Sequence, residues 1–470
     1  MNYLEVTDRA LKGPVCKERD FDLKIFSKRL VDMTKEYGIK YDPANPTPSD
    51  NTLADAVFQA AMNFYVEVGT FCLDTGRIIK FNEEEVKDAL KSASPSIQFG
   101  EGRDARVLRS RKPDCANPPW ISAGAVGITV SNEEIFSSLM RAYVEYTPLM
   151  NSLCTACITN IDGYPVRLGD PSEVEGSMRT AMLSKEALRA ANRPGLPIVN
   201  GVATAVSDRA AIAGGSLLGP GDALEIGSIA EMKIDFNLMN KIAYAVASNK
   251  KIWAGMGPIL GGYCGGPEGL AVAIVAYNFH ALLVQKATVQ HPYPVHYRYV
   301  SNSSRQMLWA ASLAYQAISR NTHVPVVGLC YAANGPTVEE GFYEAAATAA
   351  SNAVSGVSIE VQGQAKGQGV DHLGPLEARL ASEVAMVTTG MKRKDLNEIM
   401  RNLLRLYEDK LEKPDPGKKY QECFDVRKIT PEQNYLETYK RSVKKLEEIG
   451  IHIASSHACH DSPHSESFFD

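Results

Sequence analysis

Apolar positions along the chain change their spacing twice. Over 22–37 and 51–68 they recur every three to four residues, which predicts two amphipathic helices. Residues 71–81, FCLDTGRIIKF, read as two short strands around an Asp-Thr-Gly turn. Asn82 then N-caps a helix that opens on three glutamates, a favourable charge for that end of a helix dipole. From about residue 119 strand and helix patterns alternate. β-rich runs are predicted at 120–123, 152–158, 196–200, 223–227, 251–255, 295–300, 324–330 and 356–361. Helical spacing fills the intervals at 132–147, 173–191, 205–214, 236–248, 265–285, 304–319 and 338–353, with a further helix at 375–390. Such alternation implies parallel strands with right-handed crossovers, and eight units suggest a closed (β/α)8 TIM barrel. An open, doubly wound sheet is the competing arrangement.

After the last unit the pattern changes again. Helices at 393–411 and 432–448 flank the polar loop EKPDPGKK (412–419), and the His-rich end from His452 lacks apolar periodicity. The expected organisation is a helical N-terminal cap with a small hairpin (1–118), the barrel (119–392), and a C-terminal helical arm with a tail (393–470).

Composition narrows the classes of function. The chain has 470 residues, with 50 Lys and Arg against 55 Asp and Glu, a net charge of −5. That excludes a globally basic nucleic-acid binder. At 44% hydrophobic and 22% charged residues it is an ordinary globular chain, not a disordered one. The longest apolar run, 269–285, is short for a membrane span and is interrupted by Asn278 and His280. The start, MNYLEVTDRA, has no basic segment followed by an apolar one, so no secretory leader is expected. Nine scattered cysteines fit reduced thiols in a cytoplasmic protein better than a disulfide framework.

Several motifs weigh little. Cys154 and Cys157 fall in a predicted strand, where alternation sends their thiols to opposite faces, so no metal or redox pair is expected. His457, Cys459, His460 and His464 sit in the tail without any supporting shell, and no metal site is assigned to them. Gly261-Gly-Tyr-Cys-Gly-Gly266 precedes a helix and reads equally as an anion-binding loop or as a tight turn that lets a neighbour approach closely.

In a barrel, function belongs at the C-terminal ends of the strands. Those positions hold Asn200, Glu225, Trp253, Gly255, Met256, His296, Arg298, Tyr299, Tyr331, Asn334, Gln362 and Gln364. The set offers a carboxylate, a base and several aromatics, but no Ser–His–Asp arrangement and no metal-ligand set.

Ordered blocks from about residue 20 to 450 resemble the monomethylamine:corrinoid methyltransferases of methylotrophic methanogens. They include Gly102-Arg-Asp-Ala105, Arg193-Pro-Gly195, Glu231-Met-Lys-Ile-Asp235, Pro258-Ile-Leu-Gly-Gly-Tyr-Cys-Gly-Gly266 and Pro294-Val-His-Tyr-Arg298. Gly335-Pro336, Glu377-Ala-Arg379, Leu406-Tyr-Glu408 and Gly417-Lys-Lys-Tyr-Gln-Glu-Cys-Phe-Asp-Val426 continue the series. The resemblance implies a TIM barrel in a homo-oligomer, a hexamer, in methylamine metabolism and methanogenesis. It also implies methyl transfer to Co(I) of a separate corrinoid protein. The corrinoid (cobalamin) would come with that partner and would not be bound covalently here. The family carries pyrrolysine in a Val-pyrrolysine-Gly segment; the matching segment here is Val199-Asn200-Gly201, so the chain resembles a pyrrolysine-lacking homologue. Glu225 matches a cavity carboxylate and Tyr331 a cavity tyrosine. A second cavity glutamate falls on Gly255, and a cavity glutamine falls on Leu329.

The resemblance therefore implies catalytic roles for Glu225, Tyr331 and Asn200. Arg298, Tyr299, Trp253, His296 and Gln364 are the expected substrate-binding set. Asn200 offers hydrogen bonds but no imine, which points to a donor already activated, such as a quaternary ammonium or sulfonium compound. Tyr299, Tyr331 and Trp253 would hold such a cation by cation–π contacts, and Arg298 would bind a carboxylate on a betaine-like donor. The expected partners are a cognate corrinoid protein and a small methylated amine or onium substrate, with no nucleic acid and no membrane. A non-catalytic partner of corrinoid proteins, or a barrel enzyme of other chemistry, are the alternatives.

Overall fold

In the computed structural model, which describes residues 2–125, 128–199, 206–361 and 369–453, strands and helices alternate through the middle of the chain. The parallel strands are β1 (Ile121–Gly124), β2 (Ser152–Cys154), β3 (Ala223–Gly227), β4 (Lys251–Met256), β5 (Val289–Pro292), β6 (Val327–Cys330) and β7 (Ser358–Val361). β1 lies between β2 and β7, β4 lies between β3 and β5, and β6 pairs with β7, all in parallel. Leu153 of β2 bridges Ile198, whose carbonyl accepts the Ala223 N–H of β3. Gln290 of β5 bridges Val326, next to β6. β1, β2, β6 and β7 are buried along their whole lengths, as parallel strands covered by helices should be. The fold is mixed α/β.

One strand differs from expectation. The run 295–300 does not join the parallel set; Val295–His296 forms a separate short pair with Ile259–Leu260. Its place is taken by β5, Val289–Pro292, which follows the helix Pro267–Leu283 closely. Connections of this type usually span two to six residues, which favours the nearer run.

The apolar segment 269–285 forms most of the helix Pro267–Leu283, which is buried almost all round. It packs against the helices Asn51–Val68 and Arg305–Asn321. A helix apolar on every face needs such cover. Among the described residues no helix is long and apolar enough to cross a membrane.

The predicted N-terminal elements form. Asn51–Val68 is helical and capped by the Asp50 side chain, Thr70–Cys72 pairs with Arg77–Ile79, and Asn82 closes a capping box with Glu85. The helix expected at 22–37 contains a π-helical stretch, Phe21–Ser27, before the α-helix Lys28–Glu36. An unexpected hairpin, Ser96–Phe99 with Arg106–Arg109, covers the N-terminal ends of the parallel strands. Its Phe99 meets Trp120 at 5.7 Å and Trp253 at 6.1 Å between ring centroids.

Candidate functional site

Strand register brings three ionisable side chains into one buried cluster. Glu225 of β3 pairs with Trp253 of β4, Gly255 of β4 pairs with His291 of β5, and Glu360 of β7 pairs with Leu329 of β6. Paired residues on adjacent strands share a face, so alternation alone aligns these positions. His291 and Glu360 form a fully buried ion pair, Nε2 to Oε1 at 3.2 Å, with side chains 1% and 0% exposed. The other ring nitrogen, Nδ1, lies 3.0 Å from the Val327 carbonyl. Because a carbonyl only accepts, Nδ1 must carry a hydrogen, and the proton shared with Glu360 is the one on Nε2.

Glu225 is deep in the molecule yet keeps part of its surface accessible, as does Tyr293 just beyond β5, so the two line an internal recess. Glu225 Oε2 is buried and has no hydrogen-bond partner among the described residues. Burial raises its pKa to about 8; His291 opposes the rise and Glu360 adds to it. Burial also pulls the His291 imidazole down, but the charge and hydrogen bond of Glu360, with Glu225 and the Val327 carbonyl, outweigh it and hold the pKa near 9. Burial and the Glu225 charge push the Tyr293 phenol up, keeping it protonated.

The ring of Tyr293 rests over glycines. A Cβ on Gly257 would come within 2.4 Å of its Cε2, and one on Gly255 within 2.9 Å of its Cε1 and 2.6 Å of Glu225 Oε1. The glycine at 255, matched by resemblance to a carboxylate, is thus what admits both Tyr293 and the present position of Glu225.

Of the expected site residues, Glu225 lies in the cluster, and Trp253 lies beside it with its ring 6.0 Å from that of His291. Trp253 is fully buried and packs with Phe99, Trp120 and Val289 at the strands' N-terminal side, which corrects its expected place at the mouth. Tyr331 is buried directly after β6, where its N–H and carbonyl are both bonded to Asn302. His296 and Tyr299 belong to the turn after the short Val295–His296 strand and stack on each other at 4.1 Å. His296 Nδ1 accepts the N–H groups of Arg298 and Tyr299, and burial lowers its pKa, so the ring is neutral with its hydrogen on Nε2. The expectation that Arg298 faces the cavity is corrected. With strand six moved to Val289–Pro292, Arg298 falls in a surface turn, 58% exposed and 3.3 Å from Glu412. Asn200, Gln362, Gln364 and the His-rich tail lie outside the described residues.

Spacing missed His291, Tyr293 and Glu360. Glu360 carried a usable signal, a carboxylate inside the apolar run Val357–Val361. His291 and Tyr293 carried a weaker one, since they flank a proline in a stretch too polar to read as a strand. The loop Gly261–Gly266 resolves as a tight turn: Gly261 has φ 84° and donates its N–H to the Gly265 carbonyl, and a Cβ on Gly261 would strike the Tyr297 ring. Cys154 and Cys157 are not joined in a disulfide. Among the described residues no group of three or more His, Cys, Asp and Glu is placed to hold a metal ion.

The sequence pattern of the family "Monomethylamine methyltransferase MtmB" matches residues 1–451. Monomethylamine methyltransferase MtmB2 of Methanosarcina acetivorans is 32% identical over 450 residues, covering 94% of this chain and 97% of that protein. Monomethylamine methyltransferase MtmB of Methanosarcina mazei is 31% identical over 448 residues, with the same coverage. The crystal structure of the Methanosarcina barkeri monomethylamine methyltransferase superposes with a TM-score of 0.92 at 29% identity, covering 96% of this chain and 98% of that one.

Proposed function

Because the chain belongs to the monomethylamine methyltransferase MtmB family and is a methyltransferase on that ground, we propose that it moves a methyl group from a small methylated amine or onium donor to the Co(I) centre of a separate corrinoid protein. The corrinoid belongs to the partner and is a substrate of the reaction. The parallel pairings that lead from β1 through the other strands and back to β1 support a (β/α)8 barrel with Glu225 inside it. With residues 1–118 as a cap and 393–470 as C-terminal helices followed by a His-rich tail, the protein acts in the cytoplasm as a homo-oligomer.

In this reaction the bond from carbon to nitrogen or sulfur breaks, the methyl group goes to cobalt, and the leaving group keeps the electron pair. A neutral amine leaves easily from a quaternary ammonium and poorly from anything less activated. Asn200, read as standing where the family carries pyrrolysine, supplies an amide and no imine, so activation must come with the donor. The observation that carries this reading is Glu225, a buried carboxylate with an unpartnered oxygen beside aromatic rings. Carboxylate and ring faces together suit an alkylated cation, each cation–π contact being worth about 0.5–2 kcal/mol. Glu225 neutralises the bound charge, while Tyr293 and Tyr331 give the methyl groups apolar contact. Arg298 is left out of the site, which removes the anchor a betaine carboxylate would need.

The test is methyl transfer to a reduced corrinoid protein, followed by the loss of Co(I) absorbance, across monomethylamine, quaternary ammonium and sulfonium donors. Transfer from at least one onium donor is expected. Transfer from monomethylamine with none from any onium compound would overturn the onium reading.

A further inference from the structure

Among the described residues the buried cluster holds one carboxyl group more than its histidine can pair with. His291, hydrogen-bonded through Nδ1 to the Val327 carbonyl, is paired with Glu360 at 3.2 Å, and those two charges cancel. Glu225 is the remainder. β4 presents Gly255 and Trp253 to it, neither of them charged. From beyond β5 comes Tyr293, a protonated phenol, and from β5 itself the already paired His291. Glu225 Oε2 is buried without a hydrogen-bond partner among the described residues. A carboxylate in that position does not stay ionised alone; it takes a proton or a cation.

We infer that the recess at Glu225 binds small monocations by exchange, one proton leaving the Glu225 carboxyl for solvent as one ammonium-type or other onium ion enters. The step balances: the neutral acid and the free cation become a carboxylate–cation pair and a released proton. Tyr293 borders the recess with aromatic surface that accepts alkyl groups next to a positive charge. The Trp253 indole N–H is also buried without a hydrogen-bond partner among the described residues. Neutral molecules of the same shape would displace no proton and would leave Glu225 as the acid. This inference takes the cationic character of the ligand from the reading above, but it does not depend on methyl transfer.

Calorimetric titration of the full chain with tetramethylammonium and methylammonium, in buffers of different ionisation enthalpy, counts the protons. About one proton per bound ion is expected below neutral pH, with Kd falling about tenfold between about pH 6 and about pH 7. A neutral isostere such as tert-butanol should release none. Glu225→Gln should abolish the release and weaken cation binding at least tenfold. Cation binding to the unaltered protein without proton release would overturn the exchange, as would equal affinity for cation and isostere. Methyl transfer without proton release would sink only this inference. Proton-linked binding without transfer from any donor would sink only the methyl-transfer reading.

Discussion

The ring of Tyr293 lies over the backbone of Gly257, so that a single added Cβ would sit 2.4 Å from Cε2. An aromatic ring cannot yield there as a long flexible side chain would, because it is rigid and lies directly against that backbone. Gly257→Ala should therefore displace Tyr293 and cost about 1–3 kcal/mol, the usual range for overpacking. Tyr293→Ala in the same chain should relieve most of that clash. A double-mutant cycle measured by denaturant unfolding checks this, and additive effects would refute the contact.

The His291–Glu360 pair is buried on both sides, so breaking it is costly even though the pair itself adds little net stability. Glu360→Gln or His291→Asn should destabilise by about 3–5 kcal/mol, since each strands the other group. The thermal midpoints of the two single variants and the double variant decide it. A double variant closer to the original than either single one is the expected outcome.

Stability should fall as pH rises from about 5 to about 9. Burial raises Glu225 and Glu377 to about 8, against about 4.3 for an unfolded glutamate. The folded chain thus holds more protons than the unfolded one across that interval, and stability drops as they leave. His291, near 9 in the fold and about 6.5 unfolded, adds to the loss above neutrality. His280, lowered to about 3 by burial, acts oppositely, costing stability only as pH falls below about 6.5. Thermal midpoints across pH test the balance; Glu225→Gln and Glu377→Gln should each flatten the decline, and a rise toward pH 9 would contradict it.

The C-terminal helix Gln433–Glu448 is held to the body by two tyrosine hydroxyls. Tyr435 donates to Glu377 and accepts the Leu376 N–H at 3.2 Å, while Tyr439 donates to Glu383 at 2.5 Å. Tyr435→Phe leaves a buried carboxylate short of a donor and should cost about 1–3 kcal/mol. Hydrogen exchange over 433–448 should accelerate in that variant before the parallel strands respond. Unchanged protection there would show that the helix is held by other contacts.

Several of these features were legible in the chain and others were not. Asn51–Val68, the Asn82 cap and the strands at 223–227 and 251–256 follow from spacing, because side-chain periodicity and capping chemistry are local. The alternation of strands and helices is local in the same sense, and so is the carboxylate at Glu225 in the middle of a strand. The hairpin at 96–109 is hard to read because each strand is only four residues long, too short for the alternation of Ile97 and Phe99 with polar neighbours to stand out. Strand six was misplaced because Gln290, His291 and Pro292 are poor strand formers that this site nevertheless buries.

What the amino-acid order determined by itself is the succession of elements, the family and the presence of one carboxylate among aromatics. Only tertiary structure decided which groups face Glu225. Glu225, the His291–Tyr293 stretch and Glu360 are distant in sequence and meet through parallel pairing, where a shift of one residue in register would turn Glu225, His291 and Glu360 to the opposite face. The lack of a partner for Glu225 among the described residues likewise exists only in the fold, because it arises from burial and from the pairing of His291 with Glu360.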